Sequence, residues 1–231
     1  MTINYVKHKT IFLQILKDIY SDISISSALG FKGGTAAHLF YDLNRDSFDL
    51  DFDLLHPEKA QEVFEKINQI ASAYGKIIES SVKKFNLLNI LAYDDVSQNI
   101  KIEVSQRNFG SSFELKTLLG IPMLVMVPAD MFANKLMAML ERVGKTSRDI
   151  YDVWFFLKHN WEINKGIVES RSGLTYKDAL AACINEMEKM NNRNILVGLG
   201  EALTSPQKDW ARAKLKSETI FLLKARLASE G

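Results

Sequence analysis

Ile11, Phe12, Ile15, Leu16 and Ile19 recur at the spacing of one helical face, which predicts an amphipathic helix over residues 5–20. A short strand over Ala28–Lys32 runs into Gly33-Gly34, and a helix is expected from Thr35 to about Tyr41. From Phe48 to Leu55 apolar and acidic residues alternate with the period of a half-buried strand. Pro57 opens a helix whose apolar positions are Val63, Phe64, Ile67 and Ile70, with Gly75 close after its end. Residues 76–126 read as several short strands, with a turn at Asp94-Asp95 and a strand over Ile100–Ser105 that alternates around Glu103.

From Pro128 onward the period becomes helical. Met131–Arg142 forms one helix, interrupted at Gly144, and Thr146 caps the next with Asp149 placed to close a capping box. Tyr176–Met190 is a further helix. A last one starts at Ser205-Pro206, with Ser205 as cap and Pro206 at the first helical position, and runs to about Ala228. Strands mixed with helices, followed by helices alone, predict an α+β core over residues 1–127 and a helical C-terminal domain over 128–231.

Composition narrows the class. Of 231 residues, 47% are hydrophobic and 25% charged, the balance of a globular protein with a core. A formal net charge of +1 gives no overall basic field, so an RNA partner would need a local patch. The single cysteine, Cys183, excludes an internal disulfide framework and suits a reducing cytoplasm. No apolar run has the length of a secretory leader or a membrane span, so a cytoplasmic protein without a membrane partner is expected.

The candidate chemistry lies where glycines and acids follow each other. On a strand, Asp49, Asp51 and Asp53 share one face and Phe48, Leu50, Phe52 and Leu54 the other. Three like charges side by side repel, and a hard divalent cation such as magnesium would relieve that repulsion. A solvated edge strand would show the same acids. Gly33-Gly34-Thr35, at a strand-to-helix turn, offers backbone amides and a helix N-terminus to an anion, with the Thr35 hydroxyl as a further donor or a cap.

The order strand, Gly-Gly, helix, Asp-x-Asp is more telling than either half. In Ile102-Glu103-Val104 the acid again points away from its apolar neighbours. If that strand lies beside Phe48–Leu54, Glu103 completes a three-carboxylate site for Mg²⁺ or Mn²⁺; otherwise it pairs with Lys101 or Lys116 at the surface.

A second cluster is Lys135, Arg142, Arg148, Asp149 and Asp152. Lys135 and Arg142 stand about two turns apart on one helical face. Arg148 and Asp152 are spaced to pair along the next helix; alternatively Lys135, Arg142 and Arg148 contact triphosphate oxygens, with Asp149 and Asp152 orienting them. Val153–Leu157 is a packing run, and His38, His56 and His159 lack metal-ligand spacing.

Lys32-Gly33-Gly34-Thr35-Ala36 with Arg45-Asp46-Ser47-Phe48-Asp49-Leu50-Asp51-Phe52 resembles the first motif of the AbiEii/AbiGii nucleotidyltransferase toxin family. Lys135-Leu136, Arg142 and Arg148-Asp149-Ile150-Tyr151-Asp152 resemble that family's later motif. The resemblance covers roughly residues 28–160. It implies a polymerase-beta-like nucleotidyltransferase core beside a helical domain, in a cytoplasmic bacterial toxin usually encoded next to an antitoxin.

Carried onto this chain, the resemblance has Gly33, Gly34 and Thr35 hold the triphosphate and Asp49 and Asp51 bind Mg²⁺. Lys135 contacts phosphate, Asp152 or Asp149 takes part in catalysis, and Glu103 stands in the place of the superfamily's third acid. The acceptor it implies is a hydroxyl such as a tRNA 3′ end. A small-molecule acceptor, as in the antibiotic-modifying branch, and a triphosphate-binding module without turnover are the rival readings.

Overall fold

The computed structural model describes residues 5–93 and 99–230, so the expected turn at Asp94-Asp95 lies outside the described residues. These residues gather into two compact units. One comprises the segments up to 42, 47–108 and 112–126; the other comprises 43–46, 109–111 and 127 onward.

In the first unit, seven strands form one mixed sheet among the described residues. They are β1 (Leu29–Lys32), β2 (Leu50–Leu54), β3 (Lys76–Val82), β4 (Asn86–Ala92), β5 (Asn99–Ser105), β6 (Phe113–Leu118) and β7 (Ile121–Met126). The spatial order is β3-β4-β5-β2-β1-β7-β6. The pairs β2–β5 and β1–β7 are parallel and the other neighbours antiparallel. Three helices pack on this sheet: α1 (Tyr5–Ser21), α2 (Gly33–Phe40) and α3 (Ala60–Ser72).

The centre of the sheet obeys the period of two. Leu50, Phe52 and Leu54 of β2 are buried, as are Ile100, Ile102 and Val104 of β5, while Asp51, Asp53, Lys101 and Glu103 on the opposite face are half-buried. Phe52 packs 5.3 Å from Phe31 and 6.1 Å from Tyr20, ring centre to ring centre. Burying such side chains drives the ladder together, at roughly 1.5–3 kcal/mol each.

β2 begins at Leu50 rather than at Phe48. Phe48 leaves the ladder because its ring packs 5.6 Å from Phe12 and 4.8 Å from His8 on α1. Asp49 therefore sits in the short approach to the strand and not within it.

The second unit is helical: α4 (Pro128–Arg142), α5 (Arg148–Lys158), α6 (Lys165–Ser172), α7 (Tyr176–Lys189), α8 (Ser205–Trp210) and α9 (Lys216–Ala228). Its core takes in Phe132, Phe156 and the whole run Val153–Leu157. The residue at the start of α8 corrects an expectation. Thr204, not Ser205, is the cap, and its hydroxyl and Gln207 close the capping box. Between α8 and α9 the helix widens into a π turn over Ala211–Leu215, so the expected single helix is interrupted. α6 was not anticipated. Asn164 caps it by accepting from the Ile167 N–H, and Gly173 ends it at φ 69°. No helix among the described residues is long and apolar enough to cross a membrane.

Candidate active site

The turn from β1 into α2 is built around Gly33. Its φ of +81° lies in the left-handed region, which side chains resist at roughly 1–2 kcal/mol. A Cβ there would also stand 2.7 Å from Asp51 Oδ2 and 3.1 Å from Asp51 Cβ. Two independent constraints thus reserve this position for glycine, and its empty side faces the Asp51 carboxylate. The helix starts here, two residues before the expected Thr35, so the amides of its first turn belong to Gly33, Gly34 and Thr35.

Thr35 is fully buried. Its hydroxyl donates to the Asp49 carbonyl at 2.5 Å and stands 3.0 Å from Ser47 Oγ. The hydroxyl is therefore not directed at an incoming anion, as the sequence reading offered; it holds the approach that carries Asp49.

The two acidic strands meet. β2 and β5 pair in parallel with Leu50 opposite Ile102, Asp51 opposite Glu103 and Asp53 opposite Ser105. Asp51 and Glu103 are consequently direct neighbours on one face. Glu103 accepts from Asn86 Nδ2 at 2.9 Å and from Lys101 Nζ at 2.8 Å. The same Lys101 ammonium lies 3.7 Å from Asp51 Oδ1, whereas Lys116 pairs with Glu114. Asp53 is engaged by Lys32.

Burial would raise the Glu103 carboxyl, but the hydrogen bonds from Lys101 and Asn86 outweigh it and hold the group below the ordinary glutamate value. Burial likewise opposes the Lys101 charge, yet Asp51, Glu103 and Asp49 lift the ammonium above the usual lysine value.

Among the described residues no three His, Cys, Asp or Glu side chains are gathered into one metal site. Asp49 stands in the approach to β2, outside the ladder that sets Asp51 beside Glu103, and the Lys101 ammonium stands at those two. The donor set nonetheless suits a hard cation: carboxylate oxygens with room at Gly33, where a Cβ is missing, already attract one positive charge.

The second cluster is buried in the helical unit. Arg45 lies on the 43–46 segment, and its guanidinium grips Asp152 in two places, Nε to Oδ1 at 2.6 Å and Nη2 to Oδ2 at 2.8 Å. Lys135 Nζ stands 2.8 Å from Asp152 Oδ2 and 3.1 Å from Asp149 Oδ1. Arg142 Nη2 lies 2.8 Å from Asp149 Oδ2 but out of hydrogen-bond alignment, leaving that buried oxygen with a charge beside it and no hydrogen bond from the described residues. Burial pushes the Asp152 carboxyl up, yet Arg45 and Lys135 overcome it and bring it down to about 2.

Two expectations change here. Arg148 and Asp152 do not pair along α5, since Asp152 is taken by Arg45 and Lys135 while Arg148 Nε donates to the Gly198 carbonyl. Asp149 closes no capping box; it turns to Lys135 and Arg142, and Ser147, without a side-chain cap bond, occupies the N-cap. Thr146 Oγ1 accepts only a long contact, 3.5 Å, from the Arg148 N–H.

Two residues carry more than sequence reasoning gave them. Arg45 stands in the quoted motif, but no spacing could link it to a partner 107 residues onward. Tyr151 and Gln207 both donate to the Asn44 carbonyl at 2.8 Å, fixing the segment that presents Arg45. Lys101 was weighed only as a surface partner of Glu103, and the alternation of Ile100–Ser105 was the signal that placed it on the same face.

The fold is shared with known structures. Two crystal structures from Helicobacter pylori share the fold over 100% of this chain, both at a TM-score of 0.61 and 20% identity: JHP933, covered over 96% of its length, and a protein assigned as a nucleotidyltransferase, covered over 99%. No match is found among curated proteins. The family model described as nucleotidyl transferase AbiEii toxin of type IV toxin–antitoxin systems matches residues 14–219. That match spans most of the chain, and the chain therefore belongs to the AbiEii nucleotidyltransferase toxin family.

Proposed function

We propose that this chain transfers a nucleotide from a nucleoside triphosphate to an RNA hydroxyl, with a tRNA 3′ end as acceptor, in the bacterial cytoplasm where both are present. The single observation that carries the reading is the placement of Gly33. Its missing side chain opens the head of α2 onto the carboxylate of Asp51, which in turn neighbours Glu103.

The first-turn amides of Gly33, Gly34 and Thr35 bind the phosphates, since helix N-terminal N–H groups lack partners within the helix and favour negative charge. Asp49, Asp51 and Glu103 would hold magnesium or manganese. When bound, such an ion neutralises phosphate charge and lowers the pKa of the attacking hydroxyl. The acceptor hydroxyl gives up its proton to water as its oxygen attacks the α-phosphorus in line, a new P–O bond forms, and the bond to pyrophosphate breaks.

Lys135, Arg142 and Arg148 are the proposed phosphate contacts of the helical unit, with Arg142 the most solvent-exposed cation of its buried cluster, at 49% side-chain exposure. Asp152, fully buried with both oxygens engaged, acts as a positioning residue for Arg45 and Lys135 rather than as a proton acceptor. An antitoxin partner follows from the family.

The test is incubation with labelled triphosphates, Mg²⁺ and total RNA, with sequencing of RNA 3′ ends. Label must enter RNA with wild type and vanish with Asp49→Ala plus Asp51→Ala. Incorporation unchanged in the double variant would sink the assignment.

A further inference from the structure

The acid pair already carries a cation of its own. Lys101 and Glu103 are alternate residues of β5, so both side chains rise from the face that Asp51 shares. The Lys101 ammonium is 2.8 Å from one Glu103 oxygen and 3.7 Å from an Asp51 oxygen. The side chains of Lys101, Asp51 and Glu103 are 36%, 29% and 31% exposed, so the trio is sheltered while solvent still reaches it. Strand register rather than a flexible loop sets this spacing.

Like charges on directly opposed residues of neighbouring strands destabilise a sheet, so the pair needs a positive partner. A lysine supplies it as a compact point charge on a flexible stem that can leave by rotating its side chain. A magnesium-sized ion binds carboxylate oxygens at about 2.0–2.1 Å. It would have to use the oxygens that the ammonium now faces, and two cations cannot sit on them together without strong repulsion.

We propose that Lys101 is a built-in competitor for the divalent cation. Without nucleotide its ammonium holds the Asp51–Glu103 oxygens and keeps metal alone weakly bound. A cation arriving with a triphosphate displaces it, because the phosphates then offer Lys101 replacement oxygens. Metal uptake is thereby coupled to nucleotide uptake. The inference rests on the proposed role of Asp51 and Glu103 as cation ligands.

The test measures Mn²⁺ binding to the full chain without nucleotide, by loss of the free-ion electron paramagnetic resonance signal. Lys101→Gln should bind Mn²⁺ at least about tenfold more tightly than wild type, as expected when a competing charge leaves a shared site. Lys101→Arg, which keeps the charge, should stay near wild type. Adding a non-hydrolysable triphosphate should shrink the gap between wild type and Lys101→Gln.

Equal or weaker Mn²⁺ binding by Lys101→Gln, with wild-type binding abolished by Asp51→Asn, overturns the Lys101 proposal and leaves the site reading intact. No Mn²⁺ uptake by either protein, with or without triphosphate, overturns both. Lys101→Met serves as a second neutral variant of similar length. Unfolding of both neutral variants, seen by circular dichroism, overturns the proposal in favour of a purely structural counter-ion.

Discussion

Arg45 and Asp152, 107 residues apart in the chain, form a buried two-point ion pair whose side chains are 2% and 0% exposed. Removing one member leaves the other charged and buried. Arg45→Ala and Asp152→Ala are therefore each expected to cost about 3–5 kcal/mol, read from denaturant unfolding. Replacing both by apolar residues of similar volume should cost less than the sum of the single losses.

The same pair sets an acid limb. Asp152 is brought down to about 2 from an ordinary value of 3.8. A depressed carboxyl contributes stability above its unfolded value and loses it as pH falls through the folded one. That contribution, on the order of 2 kcal/mol, should be present from about pH 5 upward and disappear between about pH 4 and 2. Asp152→Asn should flatten this part of the unfolding free energy against pH; an unchanged acid slope would remove the assignment.

Gly33→Ala meets both a φ of +81° and the Asp51 carboxylate. Expected are a loss of roughly 1–2 kcal/mol in stability and a fall in nucleotide transfer of about a hundredfold, from misplacement of Asp51 by a fraction of an ångström or more. Thermal unfolding and initial rates measure the two separately.

Thr35→Val keeps the shape and removes the hydroxyl that donates to the Asp49 carbonyl. Losing this buried hydrogen bond should cost about 0.5–1.5 kcal/mol, and Thr35→Ser should restore most of it. If the hydroxyl instead gripped substrate, the loss would fall on KM with stability untouched.

Asp51→Asn should lower the transfer rate by roughly 10²–10³-fold, the scale of losing one charge-stabilising group. Stability should move by less than about 1 kcal/mol, since its contact with Lys101 is long and partly solvated. Rate and melting temperature on one preparation check both.

The sequence was legible wherever one face of an element is buried. Leu50, Phe52 and Leu54 against Asp51 and Asp53 announced a strand, and Ile102 and Val104 flanking Glu103 announced its companion. Their adjacency was conditional and their parallel sense unread, because a crossover of this length is settled by the sheet as a whole. Arg45 was read as part of a motif and not as the partner of Asp152, since ion pairs between distant segments leave no period.

Local errors came from local chemistry. Phe48 was drawn off by His8 and Phe12, Thr204 outcompeted Ser205 by having Gln207 three residues on, and α6 announced itself only through Asn164 and Gly173.

The β2–β5 register has a consequence for how the chemistry is protected. Leu50, Phe52, Ile102 and Val104 are sealed on the reverse of the two strands, and side chains alternate strictly. A slip of β5 by one position would turn Ile102 and Val104 outward and carry Glu103 away from Asp51. The apolar side thus works as a detent against a one-residue slip of the two acids. Trimming Ile102 or Phe52 is therefore a way to detune the reaction from behind, without touching a charged atom.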